Sequence, residues 1–362
     1  MKTKKINLDY FSLWKEVCLF WLLVINKAKY KTDQKSDKIL IVVPCLIGEF
    51  GASLHAISDF IQKNKDKTID IVVSPPLKSL AEKIIGIRKV FIAKSVFKRK
   101  LENFEQTWQH FDTYEKIIFL RISRDSYNIT KNIKANKIII NAWPFTKYAL
   151  HLLKNVLLGR TPKQWREFNF EIFDSIPRNF AFDEIFYFKD SDCDRIKKLD
   201  ELQTSEKKVV IHTGSNWLMK KWDNEKWVEL IQKINKLGNH RFIFIGTKDD
   251  TDDYEYISSK LGFKNYSLIN QVDLMELALV LRASDYFIGV DSGPKNMAYL
   301  ADTPSVAILG PGPHFYMPYR SNHMVIDKSN GRGLYQYYFY KKNSFIGKIT
   351  VEEVFAAFKN LV

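Results

Sequence analysis

Two series of short, unbroken apolar runs restrict the fold of this chain more than any other feature. "KILIVVP" (Lys38 to Pro44), "DIVVSPP" (Asp70 to Pro76), "KVFIA" (Lys89 to Ala93), "KIIFL" (Lys116 to Leu120) and "KIII" (Lys137 to Ile140) form the first. "KVVIHTGS" (Lys208 to Ser215), "RFIFIGT" (Arg241 to Thr247), "YFIGV" (Tyr286 to Val290) and "SVAIL" (Ser305 to Leu309) form the second. A strand with one wet face alternates apolar and polar residues, whereas a run that is apolar throughout is buried on both faces, as in a parallel sheet covered by helices. Helical spacing fills the gaps. Leu54, Ile57 and Ile61 share a face over Ala52 to Gln62, and a helix is expected near Leu80 to Ile85. Trp227, Leu230, Ile231 and Ile234 do the same over Asn224 to Leu237, and Asp273 caps a helix carrying Leu274, Leu277, Ala278 and Leu281. The expected fold class is α/β, in two successive doubly wound halves with parallel sheets.

A chain of 362 residues accommodates both halves. The expected division is a basic and aromatic segment over 1–37, a first Rossmann-like domain over 38–160 and a connecting region over 161–206, where Pro162 and Pro177 break the pattern. A second domain over 207–345 and a terminal segment over 346–362, helical from Val351 to Leu361, complete it. Near the amino terminus "VCLFWLLVI" (Val17 to Ile25) is too short to cross a bilayer, which takes about 20 residues. Two readings stand: a helix in a membrane interface, helped by Lys27, Lys29, Lys31, Lys35 and Lys38, or a helix packed on the protein's own core. The aromatic tail with Tyr316, Tyr319, Tyr335, Tyr337, Tyr338, Phe339 and Tyr340 either closes over the first half or fills core.

A formal charge of +15 favours anionic partners such as nucleotides, phosphorylated sugars or acidic headgroups. Nucleic acid is not expected, because no module interleaves basic and aromatic residues. Cys18, Cys45 and Cys193 are too few and too scattered for a disulfide framework or a CxxC metal site, which fits a reducing cytoplasm. HExxH, GxxxxGK[ST] and GxGxxG are all absent. Neither a metal nor a cofactor is expected.

In doubly wound folds ligands gather beyond the carboxyl ends of the strands, so function is expected in those loops and in a cleft between the halves. Asp291-Ser292-Gly293-Pro294 leaves a strand and enters a helix at once. Pro294 suits the first helical turn, Ser292 or Asp291 can cap it, and free N–H groups beside Gly293 would hold phosphate oxygens while Asp291 accepts from sugar hydroxyls. His212-Thr213-Gly214-Ser215 leaves another strand, with Lys220 and Lys221 beyond it to neutralise a departing diphosphate. Asp249 and Asp250 could take ribose hydroxyls or form a solvated turn.

These residues carry a resemblance. "FIGVDSGPKNMAYLADTPSVAILGP" resembles the "DSGPxHLAxxxGTPxxxLFGP" signature of the heptosyltransferases, the family-nine glycosyltransferases of lipopolysaccharide inner-core synthesis. "VVIHTGSNWLMKKWDNEKWVELI" is similar to the family's "hxPGAxxxxKxWPxExWxxL", and "IGEFGASLHAISDFI" (Ile47 to Ile61) to its "lGDfvlalPAlraL". The resemblance implies a GT-B fold of two facing Rossmann-like domains, the carboxyl one for a nucleotide sugar and the amino one for the acceptor. It also implies inversion at the anomeric carbon without a metal in the chemical step. Asp291, Ser292, Gly293, Pro294 and Asn296 would hold the donor with Thr213, Gly214, Ser215, Lys221 and Asp250, and Lys220 would act on the phosphates.

Three positions depart from the family pattern: Glu49 stands for its Asp, Asn296 for its His and His55 for its Pro. Glu49 is one methylene longer yet able to serve as general base. Asn296 keeps hydrogen bonding without a charged form. The expected function is an inverting transfer of heptose from ADP-heptose to a lipopolysaccharide or lipooligosaccharide core, an anionic glycolipid, by a cytoplasmic protein peripheral to the inner membrane. The alternative is a non-catalytic nucleotide- or carbohydrate-binding protein of the same fold.

Overall fold

A computed structural model describes residues 32, 34–93, 112–121, 133–140, 165–215, 217–310, 318–329 and 345–362. The apolar segment over Val17 to Ile25 and the tail from Tyr335 to Tyr340 lie outside the described residues, as does Tyr316. The chain divides into two compact units, the first formed by residues 1–154, 165–180 and 184–187, the second by 155–164, 181–183 and 188–362.

In the first unit β1 (Lys38–Val43), β2 (Thr68–Val73), β3 (Ile87–Ile92), β4 (Tyr114–Phe119) and β5 (Ala135–Ile140) form a parallel sheet in the order β3-β2-β1-β4-β5. Val42 pairs with Val72 on one side and Phe119 on the other, which places the apolar runs in the middle of the sheet. The order reverses direction between β1 and β4, the point beyond whose carboxyl edge doubly wound sheets generally bind ligands.

Helix α1 (Ile47–Lys63) follows β1 and begins five residues before the Ala52 expected from its apolar spacing. Every residue from Phe50 to Ile61 is buried, including Ser53, His55, Ser58 and Asp59, so no polar face remains for solvent. The cover comes from the stretch expected as a connector. Helix α2 (Trp165–Ile172) and the residues after it pack on α1, with Asn169 Nδ2 donating to Ser53 Oγ at 3.0 Å and the Phe60 and Phe173 rings 4.7 Å apart. The Phe180 amide donates to His55 Nδ1 at 3.1 Å, and Arg178 pairs with Asp59. These bonds offset the desolvation cost of Ser53, His55 and Asp59, whereas the buried Ser58 hydroxyl has no hydrogen-bond partner among the described residues. His55 is fully buried and serves this packing.

The second unit is a parallel sheet of β6 (Lys207–His212), β7 (His240–Phe244), β8 (Tyr266–Ser267), β9 (Tyr286–Val290), β10 (Ser305–Ile308) and β11 (His323–Ile326). The strand order is β11-β10-β9-β6-β7-β8, with its reversal between β6 and β9. Helices α3 (Asp190–Lys197), α4 (Asn224–Asn235), α5 (Thr251–Leu261), α6 (Leu274–Arg282), α7 (Gly293–Leu300) and α8 (Val351–Lys359) belong to this unit. Trp227, Leu230, Ile231 and Ile234 of α4 are buried at the expected spacing. Asp273 and Glu276 form a reciprocal capping box at the start of α6, at 2.8 and 2.9 Å. The indole of Trp222 donates to the Ile349 carbonyl at 3.1 Å, tying the α4 approach to the segment before α8. Among the described residues no helix is long and apolar enough to cross a membrane.

Candidate functional site

The reversal between β6 and β9 brings the two expected loops of the second unit to one sheet edge. Each strand there pairs in register with its neighbour, His212 opposite Gly289, so the residues that follow leave the sheet side by side. A Cβ at Gly289 would lie 3.2 Å from the His212 carbonyl and closer still to Phe287, so the approach needs glycine.

Asp291 leaves β9 and is the electrostatic centre of this edge. Its Oδ2 accepts from Lys220 Nζ at 2.6 Å and its Oδ1 from Lys295 Nζ at 2.7 Å, one oxygen for each ammonium. Although burial alone would raise its pKa, the two lysines overcome that effect and hold the carboxyl well below the usual carboxylate range. Ser292 is the N-cap of α7 with extended backbone, and its side chain makes no capping hydrogen bond to the helix. The hydroxyl donates instead to the Val290 carbonyl at 3.1 Å and lies 3.0 Å from His212 Nδ1. A hydroxyl has one proton to give, so the second contact requires His212 Nδ1–H as donor. Burial first, then Lys221, pushes His212 toward the neutral form against the pull of Asp250. Pro294 fills the first turn, where its missing N–H costs nothing, and leaves the Gly293 and Lys295 amides at the helix start. Asn296 is buried, with a long contact of 3.5 Å from Nδ2 to the Ser292 carbonyl.

The other expected residues sort differently. Thr213 is buried and Ser215 partly exposed in the loop after β6. Asp250 is buried and turned inward. Its Oδ2 accepts from the Thr247 amide at 2.7 Å, and a Cβ at Gly214 would stand 1.9 Å from its Oδ1. Asp250 therefore shapes the Gly214 and Thr247 loops from beneath. Lys221 is held by Asp253 of α5. Among the described residues no group of three or more His, Cys, Asp or Glu side chains is placed to hold a metal ion.

In the first unit Glu49 sits in the first turn of α1 at the β1–β4 reversal. It pairs with Arg121, which follows β4, through Nη2 to Oε1 and through Nε to Oε2 at 3.3 Å. Oε2 also accepts from the Leu46 amide at 3.3 Å. A carboxylate offers about four acceptor positions, so one on Oε1 remains for a further hydrogen bond. Arg121, Lys295 and His212 are the residues the sequence reading left without a role. Only Lys295 had a local signal, its i,i+4 spacing from Asp291.

Known proteins resemble the chain in sequence and in fold. Residues 159–334 match the family model described as glycosyltransferase family 9 (heptosyltransferase), an interval that includes Ser215, Lys220, Asp291 and Asn296 but not Glu49. Over 161 residues the chain is 28% identical to lipopolysaccharide heptosyltransferase 1 of Campylobacter coli, a match covering 42% of this chain and 46% of that relative. It thus spans less than half the relative's length. The structure of a family 9 glycosyltransferase from Veillonella parvula superposes with a TM-score of 0.68 at 15% identity, covering 92% of this chain and 99% of that one. Escherichia coli heptosyltransferase WaaC with ADP-2-deoxy-2-fluoro heptose gives 0.64 at 17% identity, covering 90% and 100%. The two parallel α/β units are those of the GT-B fold.

Proposed function

Taking residues 159–334 to be a glycosyltransferase family 9 (heptosyltransferase) domain, we propose that the protein is an inverting glycosyltransferase that moves heptose from ADP-heptose to a lipopolysaccharide or lipooligosaccharide core. The observation that carries this reading is Asp291 at the strand-order reversal, between Lys220 and the amino terminus of α7. Ligands of doubly wound sheets collect at that point, and helix N–H groups bind diphosphate.

Each side chain then has one job. Lys220 and the Gly293 and Lys295 amides take the donor's diphosphate and the charge it gains as the bond to the anomeric carbon breaks. Asp291 accepts from sugar hydroxyls. Thr213, Gly214 and Ser215 line the approach, Asp250 keeps that loop in shape, and Ser292, Pro294 and Asn296 set the helix start. In the first unit Glu49 takes the acceptor's hydroxyl proton as that oxygen forms the new glycosidic bond from the opposite face, and the nucleoside diphosphate leaves. Positive charge from Lys220 and α7 does the work a metal would otherwise do. The +15 surface supports an anionic glycolipid acceptor at the cytoplasmic face of the inner membrane.

Arg121's hold on Glu49 favours one competing reading, a binding protein without catalysis. Calorimetric titration with ADP, UDP, GDP and CDP tests the donor site. Selective ADP binding that weakens in Lys220→Met is expected, and no binding to any nucleotide would overturn the reading. Transfer from ADP-heptose to a lipid-linked core is expected to disappear in Asp291→Ala and Glu49→Gln. Transfer absent from the wild type despite ADP binding would favour the competitor.

A further inference from the structure

The two lysines that share Asp291 are not equivalent. Lys220 ends a single 3-10 turn, Leu218–Lys220, in the loop after β6, and its side chain keeps 17% of its exposure. Lys295 lies on α7, four residues from Asp291, and keeps 2%. An anion arriving from solvent reaches Lys220 and not Lys295. If Lys220 were the only counter-charge, the anion would have to break an ion pair whose carboxylate would be left buried and alone, which is strongly unfavourable. Lys295 removes that obstacle, because Asp291 keeps a partner when Lys220 turns away. Three charged groups, two positive and one negative, also leave one net positive charge for the anion. Burial pushes the Lys295 ammonium toward neutrality while Asp291 pulls it back, and its Nζ lies 5.6 Å from the centre of the Tyr299 ring, a further hold on the cation. The position falls at the open "x" of the "DSGPxH" pattern, so this device belongs to this chain's own residues.

We propose that Lys295 is a positioning residue: it holds the Asp291 carboxylate and so releases Lys220 to the diphosphate of a nucleotide-sugar donor. The inference rests on the donor-site reading above.

The test is titration of the full chain with ADP, comparing wild type, Lys295→Met and Lys295→Met with Asp291→Asn, each checked for folding by circular dichroism. Losing one unit of charge beside a partly buried anion should weaken ADP binding about tenfold in Lys295→Met. Removing the carboxylate as well restores one net positive charge, and the double variant is expected to return to within about threefold of wild type. A purely structural lysine would give no such recovery. Lys295→Gln, which keeps a hydrogen bond but not the charge, should show the same loss and serves if the methionine variant does not fold. Wild-type affinity in Lys295→Met or Lys295→Gln, or a double variant as weak as the single, overturns the inference alone. A wild type that binds no nucleoside diphosphate overturns the donor-site reading and this inference with it.

Discussion

At the scale of single residues, the buried histidines set how the protein responds to acid. His323 is held at about 4 by burial, with Arg320 acting in the same direction and Asp302 against it. Its ordinary value is 6.5, so between 6.5 and about 4 the unfolded chain binds a proton that the folded chain refuses. The stability this contributes is complete above 6.5 and is lost as pH falls to about 4, at up to about 1.4 kcal/mol per pH unit. His212 shifts in the same direction. The melting temperature should therefore fall on acidification from pH 7 to pH 4.5, and His323→Gln should flatten that slope; an unchanged slope would refute the assignment. Such residues differ in how much the sequence shows of them. Asp291 and Lys295 are legible because helical spacing joins them over four positions. Glu49 and Arg121 stand 72 positions apart and meet only because β4 pairs with β1, a contact that no local pattern encodes.

At the scale of elements, the placement of Lys220 depends on how closely the end of β10 approaches the turn that carries it. A Cβ at Gly310 would stand 2.9 Å from the Met219 carbonyl and 3.0 Å from Lys220 Cα, both backbone atoms that have no rotamer to yield. Gly310→Ala should therefore push the Leu218–Lys220 turn outward and lengthen the reach from Lys220 to Asp291. The expected outcome is about five- to tenfold weaker ADP binding with little loss of melting temperature, because the strain falls on a loop rather than the core. Unchanged ADP affinity would show that the turn absorbs the methyl group. Elements also explain what the pattern concealed. The strands are legible as unbroken apolar runs, but the apolar spacing starts α1 only at Ala52, because its half-buried first turn, "IGEF", has no helical stripe of its own and every residue from Phe50 to Ile61 is buried. A helix covered on all sides loses the amphipathic contrast by which helices are recognised.

For the whole molecule, the division into units follows the cover of α1 and not the gap in the strand pattern. Residues 165–180 and 184–187 belong with the first unit although they come after its last described strand. Phe170, Phe173 and Phe180 are buried there, each contributing about 1.5–3 kcal/mol if fully removed from water. Asn169 and the Phe180 amide also satisfy Ser53 and His55. The Ile85 amide donates to the Ile185 carbonyl at 2.9 Å, and Ile84 bridges to Phe186, so the chain returns to the first unit once more before it stays in the second from residue 188 onward. A fragment ending at residue 160 would expose the whole outer face of α1, with Ser53, His55 and Asp59 facing water in place of their partners. One ending at residue 187 keeps that face covered. The longer fragment is expected to unfold cooperatively on heating and to resist proteolysis, and the shorter one to show neither property or to aggregate. Equal cooperativity in the two would mean that α1 and its sheet are stable without the later residues, and would return the boundary to the place where the apolar runs stop.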